Sequence, residues 1–249
     1  MGFQQLLEYR VNFVWSTIGT VISTIILYLF WVAILGSNPQ MRMSGFALGN
    51  YYLFITLIGA ITFSNFRPVS DDIWEGDLAV DLLRPYNYFL KMFLLELPYK
   101  ITRMLLGLVL IFFISRFTFL QIPLANLILA SVAVLFAIGT RAFMAYSIAG
   151  LAFWFKRVHG FDALIFSFGR LFSGELIPLQ FLPPALITFS LYLPFRYLAY
   201  FPVSIIMDEP NTTELVIGML SVTLWLALMF IINRLIWKKG LSQFEATGR

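Results

Sequence analysis

Five carboxylates crowd into eleven residues: Asp71, Asp72, Glu75, Asp77 and Asp81, out of thirteen acidic side chains in the whole 249-residue chain. Anionic side chains grouped on one short segment steer a basic partner towards it. Apolar residues are threaded through them. Trp74, Leu78 and Leu82 share a helical face by i, i+4 spacing, although Asp77 and Asp81 lie beside that face. Gly76 is the natural break. Asp77 would then cap a second short helix over 78–83. That helix stops ahead of Pro85, because the residue before a proline avoids the helical region. The segment reads either as a solvated loop anchored to a membrane surface by Trp74 and Tyr86, or as a docking element for a soluble partner, with Arg84-Pro85 fixing its exit.

The rest of the chain sets the surroundings of this cluster. Hydrophobic residues make up 60% and charged residues only 12%, with a mean hydropathy of +0.84. Soluble domains carry roughly a quarter charged residues, so the composition points to an all-α polytopic membrane protein. Cysteine is absent and histidine occurs once, at His159. Disulfides, thiolate metal sites and histidine metal sites therefore drop out, and no metal or cofactor is expected on this chain. The net charge of +4 reports orientation in a membrane rather than nucleic-acid binding.

A spanning helix needs about 20 apolar residues. Six candidates fall near 17–35, 45–66, 101–119, 125–155, 161–177 and 215–237, making residues 17–237 the membrane domain. Residues 1–16 contain Gln4, Gln5, Glu8, Arg10 and Asn12 among apolar neighbours. They read as an amphipathic helix on the membrane surface, not as a cleavable signal. Between the fifth and sixth spans lie six of the eleven prolines, among pieces too apolar for a water-exposed loop. Residues 176–207 therefore read as short helices that dip into the membrane and return. With the N-terminus inside, twelve basic residues fall on the inner side and Arg42, Arg116 and Arg196 on the outer. That bias favours both termini inside, a cytoplasmic segment at 67–100 that contains the carboxylates, and a cytoplasmic tail at 238–249.

Catalytic motifs are missing. None of the five lysines follows a glycine, so the phosphate-cradling loop of a Walker A motif is absent. Nucleotide chemistry would have to sit on another chain, and the protein is not expected to be an enzyme by itself. Arg141, within the fourth span, should face protein or water, since a charge at that depth costs at least ~2.5–3.5 kcal/mol. It either lines a translocation path or bonds the carbonyls of a broken helix. Arg170 and Glu175 flank Gly174, and a local ion pair fixing the turn is the plainer reading, with path lining as the alternative. His159 stands near Lys156 and Arg157 as a solvated loop histidine. Gly45 and Gly49 have the spacing for close helix approach. Asn211-Thr212-Thr213 fits a glycosylation sequon.

The string Ile73-Trp74-Glu75-Gly76-Asp77-Leu78, followed by Leu82-Leu83-Arg84-Pro85, resembles the cytoplasmic segment between the second and third spans of ABC-2 type transporter permeases. Leu6–Phe13 resembles that family's amphipathic entry, Ser173–Ile206 its re-entrant region, and Trp237–Arg249 its basic tail. Asp208-Glu209 departs from the pattern, where a small residue is expected. The resemblance implies a half-transporter in a bacterial inner membrane. Two permease subunits, the same or homologous, would pair around a path. Each would seat a cytoplasmic ATPase, which binds the ATP and Mg, against the segment holding Asp71, Asp72, Trp74, Glu75, Gly76, Asp77, Asp81, Leu82, Arg84 and Pro85. A second contact would come from Lys156, Arg157 and His159. The rival readings are an ion- or proton-coupled carrier, which would need Glu175 as its intramembrane carboxylate, and a lipid-modifying membrane enzyme.

Overall fold

The computed structural model describes residues 3–37, 43–115, 122–155, 159–207 and 210–244. Among them, all regular structure is helical. The chain divides into two compact units, Met1–Thr56 and Leu57–Arg249.

The first unit is built on α1 (Phe3–Ser37) and the opening turns of α2 (Gly45–Thr62). α1 is one helix of 35 residues, uninterrupted near residue 16, where hydropathy alone places the change from surface helix to span. It contains no proline, and a change in side-chain polarity alters what a helix faces without ending it. Thr24 and Thr56 share a hydrogen bond of 3.0 Å between α1 and α2. A Cβ at Gly45 would lie 4.0 Å from Val32, and one at Gly49 3.5 Å from Tyr28. The two glycines therefore bring α2 close to α1 within one chain, as their spacing predicts.

The second unit continues through α3 (Arg67–Glu75), α4 (Leu78–Leu82), α5 (Tyr88–Ser115) and α6 (Leu124–Gly150), which a 3₁₀ turn at Leu151–Phe153 prolongs. After α7 (His159–Phe172) come α8 (Pro184–Ser190), α9 (Pro194–Leu198), α10 (Tyr200–Ile206) and α11 (Thr212–Leu241). The spine of the unit is the pair α6 and α11, which run parallel. Ala130 and Ala133 pack with Val222 near one end. Towards the other end, Trp237 donates its indole N–H to the Tyr146 carbonyl at 3.0 Å. Close approach depends on absent side chains: a Cβ at Gly218 would sit 2.0 Å from Phe201, and one at Gly240 2.0 Å from Phe153.

Parallel neighbours need a returning connection, which α7 to α10 supply. Prolines open α8 and α9, where the missing N–H would be unbonded in any case. Tyr197, Phe201 and Ile205 are buried against Ala130, Ala133 and Val222. The short helices α9 and α10 thus cover the end of the spine opposite the one that carries α3, whose Val69 and Ile73 pack with Ala149. From Ala130 to Ala149 α6 rises about 28 Å, close to the thickness of a bilayer core.

Among the described residues, four helical stretches are long and apolar enough to cross a membrane: Ile18–Ser37, Gly45–Glu75, Leu124–Phe153 and Thr212–Leu241. α5 begins at Tyr88, well before residue 101, and carries Pro98 inside it. α7 has 14 residues and ends at Phe172 rather than 177. It stops because Gly174 turns left-handed, with φ 84°. Asn211 serves as the N-cap of α11. Its side chain accepts from the Glu214 N–H at 2.9 Å, and the Glu214 carboxylate accepts the Asn211 N–H at 3.1 Å. Asp208 and Glu209 lie outside the described residues.

Candidate functional site

The carboxylate segment folds as an elbow. α3 starts with Pro68 in its first turn and ends where Gly76 takes φ 87°, a conformation that costs a side-chain-bearing residue about 1–2 kcal/mol. Asp77 occupies the N-cap position of α4, but its side chain makes no cap bond. α4 ends at Leu82, ahead of Pro85. One face of the elbow is anchored. Val69, Ile73 and Leu78 are buried against Tyr88 and Met92 of α5, the Ala145–Ala149 turn of α6, and Trp237 of α11. Full burial of each such side chain is worth ~1.5–3 kcal/mol.

The five carboxylates do not act alike. Asp81 is buried, accepts hydrogen bonds from Tyr86 Oη and Lys91 Nζ, and lies 3.7 Å from Arg84. Asp72 accepts from Tyr88 Oη at 2.7 Å. Both tie the elbow to the start of α5. Asp71, Glu75 and Asp77 are exposed. They stand with an apolar group on the open surface: Trp74 is 46% exposed, Leu82 46% and Leu83 88%. Sequence spacing alone had all five carboxylates available to a partner. The return of the chain at Tyr86–Lys91 draws two of them inward and leaves three.

The hydrogen bonds from Lys91 and Tyr86 hold the Asp81 carboxyl below the usual carboxylate range, and the same contact raises Lys91. A lowered acid stabilises the fold above its unfolded pKa, near ~3.9, and loses that stabilisation as pH falls through the folded value. A raised lysine contributes below its unfolded pKa of ~10.4 and is lost as pH rises through the folded value. Trp74 fluorescence, isolated in a variant without the other tryptophans, should therefore stay flat from about pH 5 to 9 and change in stronger acid. Asp81→Asn should reduce the acid change, leaving the part that the Asp72–Tyr88 hydrogen bond contributes.

A second polar cluster joins α5 to the C-terminal end of α2. Lys100 on α5 donates to the Phe63 carbonyl and lies 3.4 Å from that of Ile61; Arg103 donates to Ala60 at 3.3 Å. These are carbonyls that a helix C-terminus leaves unpaired, and the cations also meet the negative end of its dipole. Glu96 completes the joint. It accepts from Ser64 Oγ at 2.6 Å and the Asn65 N–H at 2.8 Å, and lies 3.4 Å from Lys100. In the sequence, Lys100 and Arg103 figure only in the orientation count. The available signal is Glu96, Lys100 and Arg103 at i, i+4 and i+7 on one face of an apolar helix.

Arg141 is half-buried in α6 and lines a cavity of about 350 Å³ with Ser64, Asn65 and Arg67. It faces protein and cavity, as its depth requires. Arg170 Nε lies 3.4 Å from Glu175 Oε2 across the Gly174 turn, and the Leu176 N–H donates to the Arg170 carbonyl at 3.2 Å. The expected local ion pair is present, so the carboxylate a proton-coupled carrier would need is held by an arginine. Lys156 and Arg157 lie outside the described residues, as does the side chain of His159, which opens α7.

The chain matches the model of the ABC-2 family transporter protein family over residues 21–248. The protein belongs to the ABC-2 transporter family. That match runs from within α1 through the elbow, the spine and the broken helices to the tail. No curated protein and no solved structure matches the chain. An ABC-2 family member with four apolar helices of spanning length among its described residues is a membrane transport protein, and the segment singled out by its carboxylates is an exposed elbow seated on one end of its spine.

Proposed function

We propose that this chain is the permease subunit of an ABC exporter in a bacterial inner membrane, with both termini cytoplasmic, and that residues 67–85 are the element on which a separate ATPase acts. The observation that carries the reading is the two-sidedness of the elbow. Val69, Ile73, Leu78, Asp72 and Asp81 hold it to α5, α6 and α11. Trp74, Leu82, Leu83, Asp71, Glu75 and Asp77 face outward. An apolar group ringed by carboxylates on a rigid mount suits a partner cleft with an apolar floor and a basic rim.

Six spans follow if α5 and α7 are completed by residues beside them, with α8 to α10 folded back into the outer half. A second permease subunit, the same or homologous, would close the path. ATP and Mg would bind on the partner ATPases. Their closure would push the elbow, and the Lys100–Glu96 joint would pass that push to α2 while the core around Trp237 passed it to the spine. Charge reversal at the exposed positions, Asp71→Lys with Glu75→Lys and Asp77→Lys, should slow association with the ATPase at least tenfold at low salt and flatten its salt dependence. Membrane insertion should be unchanged. Stimulated ATPase activity and its salt dependence, measured with the co-purified subunits, check this. Unaltered coupling in the triple variant would argue against the reading.

A further inference from the structure

In the second unit, Arg84, Lys91, Lys100, Arg103, Arg170 and Arg196 each meet a carboxylate, a carbonyl or a hydroxyl. Arg234, Lys238 and Lys239 of α11 differ. All three are exposed, and no carboxylate among the described residues pairs with them. The one acidic residue of α11, Glu214, is in its first turn, at the opposite end. The three cations also close off an apolar stripe. Leu220, Leu224, Leu228, Ile231 and Leu235 are exposed and recur at the spacing of one helical face. Lys238 continues that face, with Arg234 to one side of it and Lys239 to the other. The opposite face, with Val222, Asn233, Trp237 and Gly240, is buried. Arg234 stands about 33 Å along the helix from Thr212, just beyond the ~30 Å of a bilayer core. Trp154 marks the same level: it is exposed, and its neighbour Phe153 packs on Trp237 with ring centroids 5.3 Å apart. Lys238 and Lys239 complement the negative end of the helix dipole, and their flexible stems carry the charges out to headgroup depth.

We infer that this end of α11 is a binding site for an anionic bilayer phospholipid, its phosphate held by Arg234, Lys238 and Lys239 and one acyl chain lying along Leu235, Ile231 and Leu228. Charge decides the occupant. A second copy of the chain, held parallel in the same membrane and packed on this stripe, would bring the same three cations face to face, and like charges across an interface are repulsive. A soluble partner with the basic rim that suits the acidic elbow is repelled from this patch for the same reason, and it could not cover a stripe that runs down into the bilayer. An anionic phospholipid answers both halves at once, the cations with its phosphate and the leucines with its chain. Each basic side chain near a headgroup layer contributes about fivefold to attraction of anionic lipid. The inference needs α11 to cross the membrane and needs no ATPase, so it stands or falls apart from the permease reading.

The test uses the full chain in phosphatidylcholine vesicles. Because cysteine is absent, Ile231→Cys takes a single bimane fluorophore on the stripe. The probes are phosphatidylglycerol and phosphatidylcholine, each carrying a quenching nitroxide on one acyl chain and added in graded amounts. The labelled phosphatidylglycerol should reach half-quenching at a mole fraction at least fivefold lower than the labelled phosphatidylcholine. Raising the salt should shrink that preference. Arg234→Gln with Lys238→Gln and Lys239→Gln should bring the two lipids level while leaving quenching by phosphatidylcholine as it was, which shows that the variant is folded and inserted. The same fluorophore at Leu220→Cys, about 27 Å along the helix from Lys238, should show no preference. Equal quenching by the two lipids at Ile231→Cys, or a preference that survives the triple variant, would overturn the inference. So would weak quenching by both lipids there but not at Leu220→Cys, which would mean that protein covers the stripe. A preference abolished by inorganic phosphate but not by chloride of equal ionic strength would also overturn it, since the cations would then hold a free anion.

Discussion

Lys100→Met should lower the stability of the folded chain by about 3–5 kcal/mol, the largest effect expected of any single polar substitution here. Lys100 is buried, and its ammonium group bonds the end of α2 while facing Glu96. Removing it leaves the carbonyls of Ile61 and Phe63 without their donor and the Glu96 carboxylate partly buried without its cation. Breaking one side of a buried pair is the costly case, because the desolvation of the other side is no longer offset. The double variant Lys100→Met with Glu96→Met should recover part of the loss, since an apolar pair of similar volume leaves no stranded charge. Thermal unfolding of the detergent-purified protein distinguishes these outcomes. Equal melting temperatures for the wild type and Lys100→Met would remove the joint from the account.

Trp74→Ala combined with Leu83→Ala should weaken association with the partner ATPase by about 100-fold or more, with a much smaller loss of permease stability than Ile73→Ala causes. A central tryptophan anchor at an interface is commonly worth ~2 kcal/mol or more, burial of a leucine adds ~1.5 kcal/mol, and every 1.4 kcal/mol is tenfold. Both side chains are on the open face of the elbow, away from the Val69, Ile73 and Leu78 anchor. Their truncation therefore removes surface that a partner would cover and little of the core. The opposite pattern is expected for Ile73→Ala, which empties a buried position and should cost about 2–5 kcal/mol of fold stability. Titrating the purified permease with its ATPase, alongside melting curves, separates the two effects. A double variant that binds as tightly as the wild type would show that the elbow's apolar face is not the contact.

Much of the elbow was legible in the sequence because its punctuation is local. Gly76 and Pro85 act on their own φ angles or those of their neighbours, so the break and the stop fell where residue type put them. The prolines of 178–202 announced short helices for the same reason, and Arg170 and Glu175 announced their pair by standing on either side of a glycine turn. What was not legible depends on chain return. Asp72 and Asp81 look the same as Asp71 and Asp77 in sequence. They differ because Tyr86, Tyr88 and Lys91 come back alongside them at the start of α5. The role of Lys100 and Arg103 was hidden more completely, since their partners are backbone carbonyls of α2, and backbone carries no sequence signature. Asp77 shows the limit of a positional rule: it holds the cap site, yet its side chain is left to the surface.

The central claim is that a cytosolic partner covers the exposed side of this elbow. The chain contains no cysteine, so Leu83→Cys places a single thiol on that side. Its labelling by a membrane-impermeant maleimide should be measured in intact cells and in inverted membrane vesicles, with and without the ATPase. Labelling should occur only in inverted vesicles, and ATPase should suppress it strongly. Labelling from outside intact cells, or full reactivity with the ATPase bound, would contradict the account.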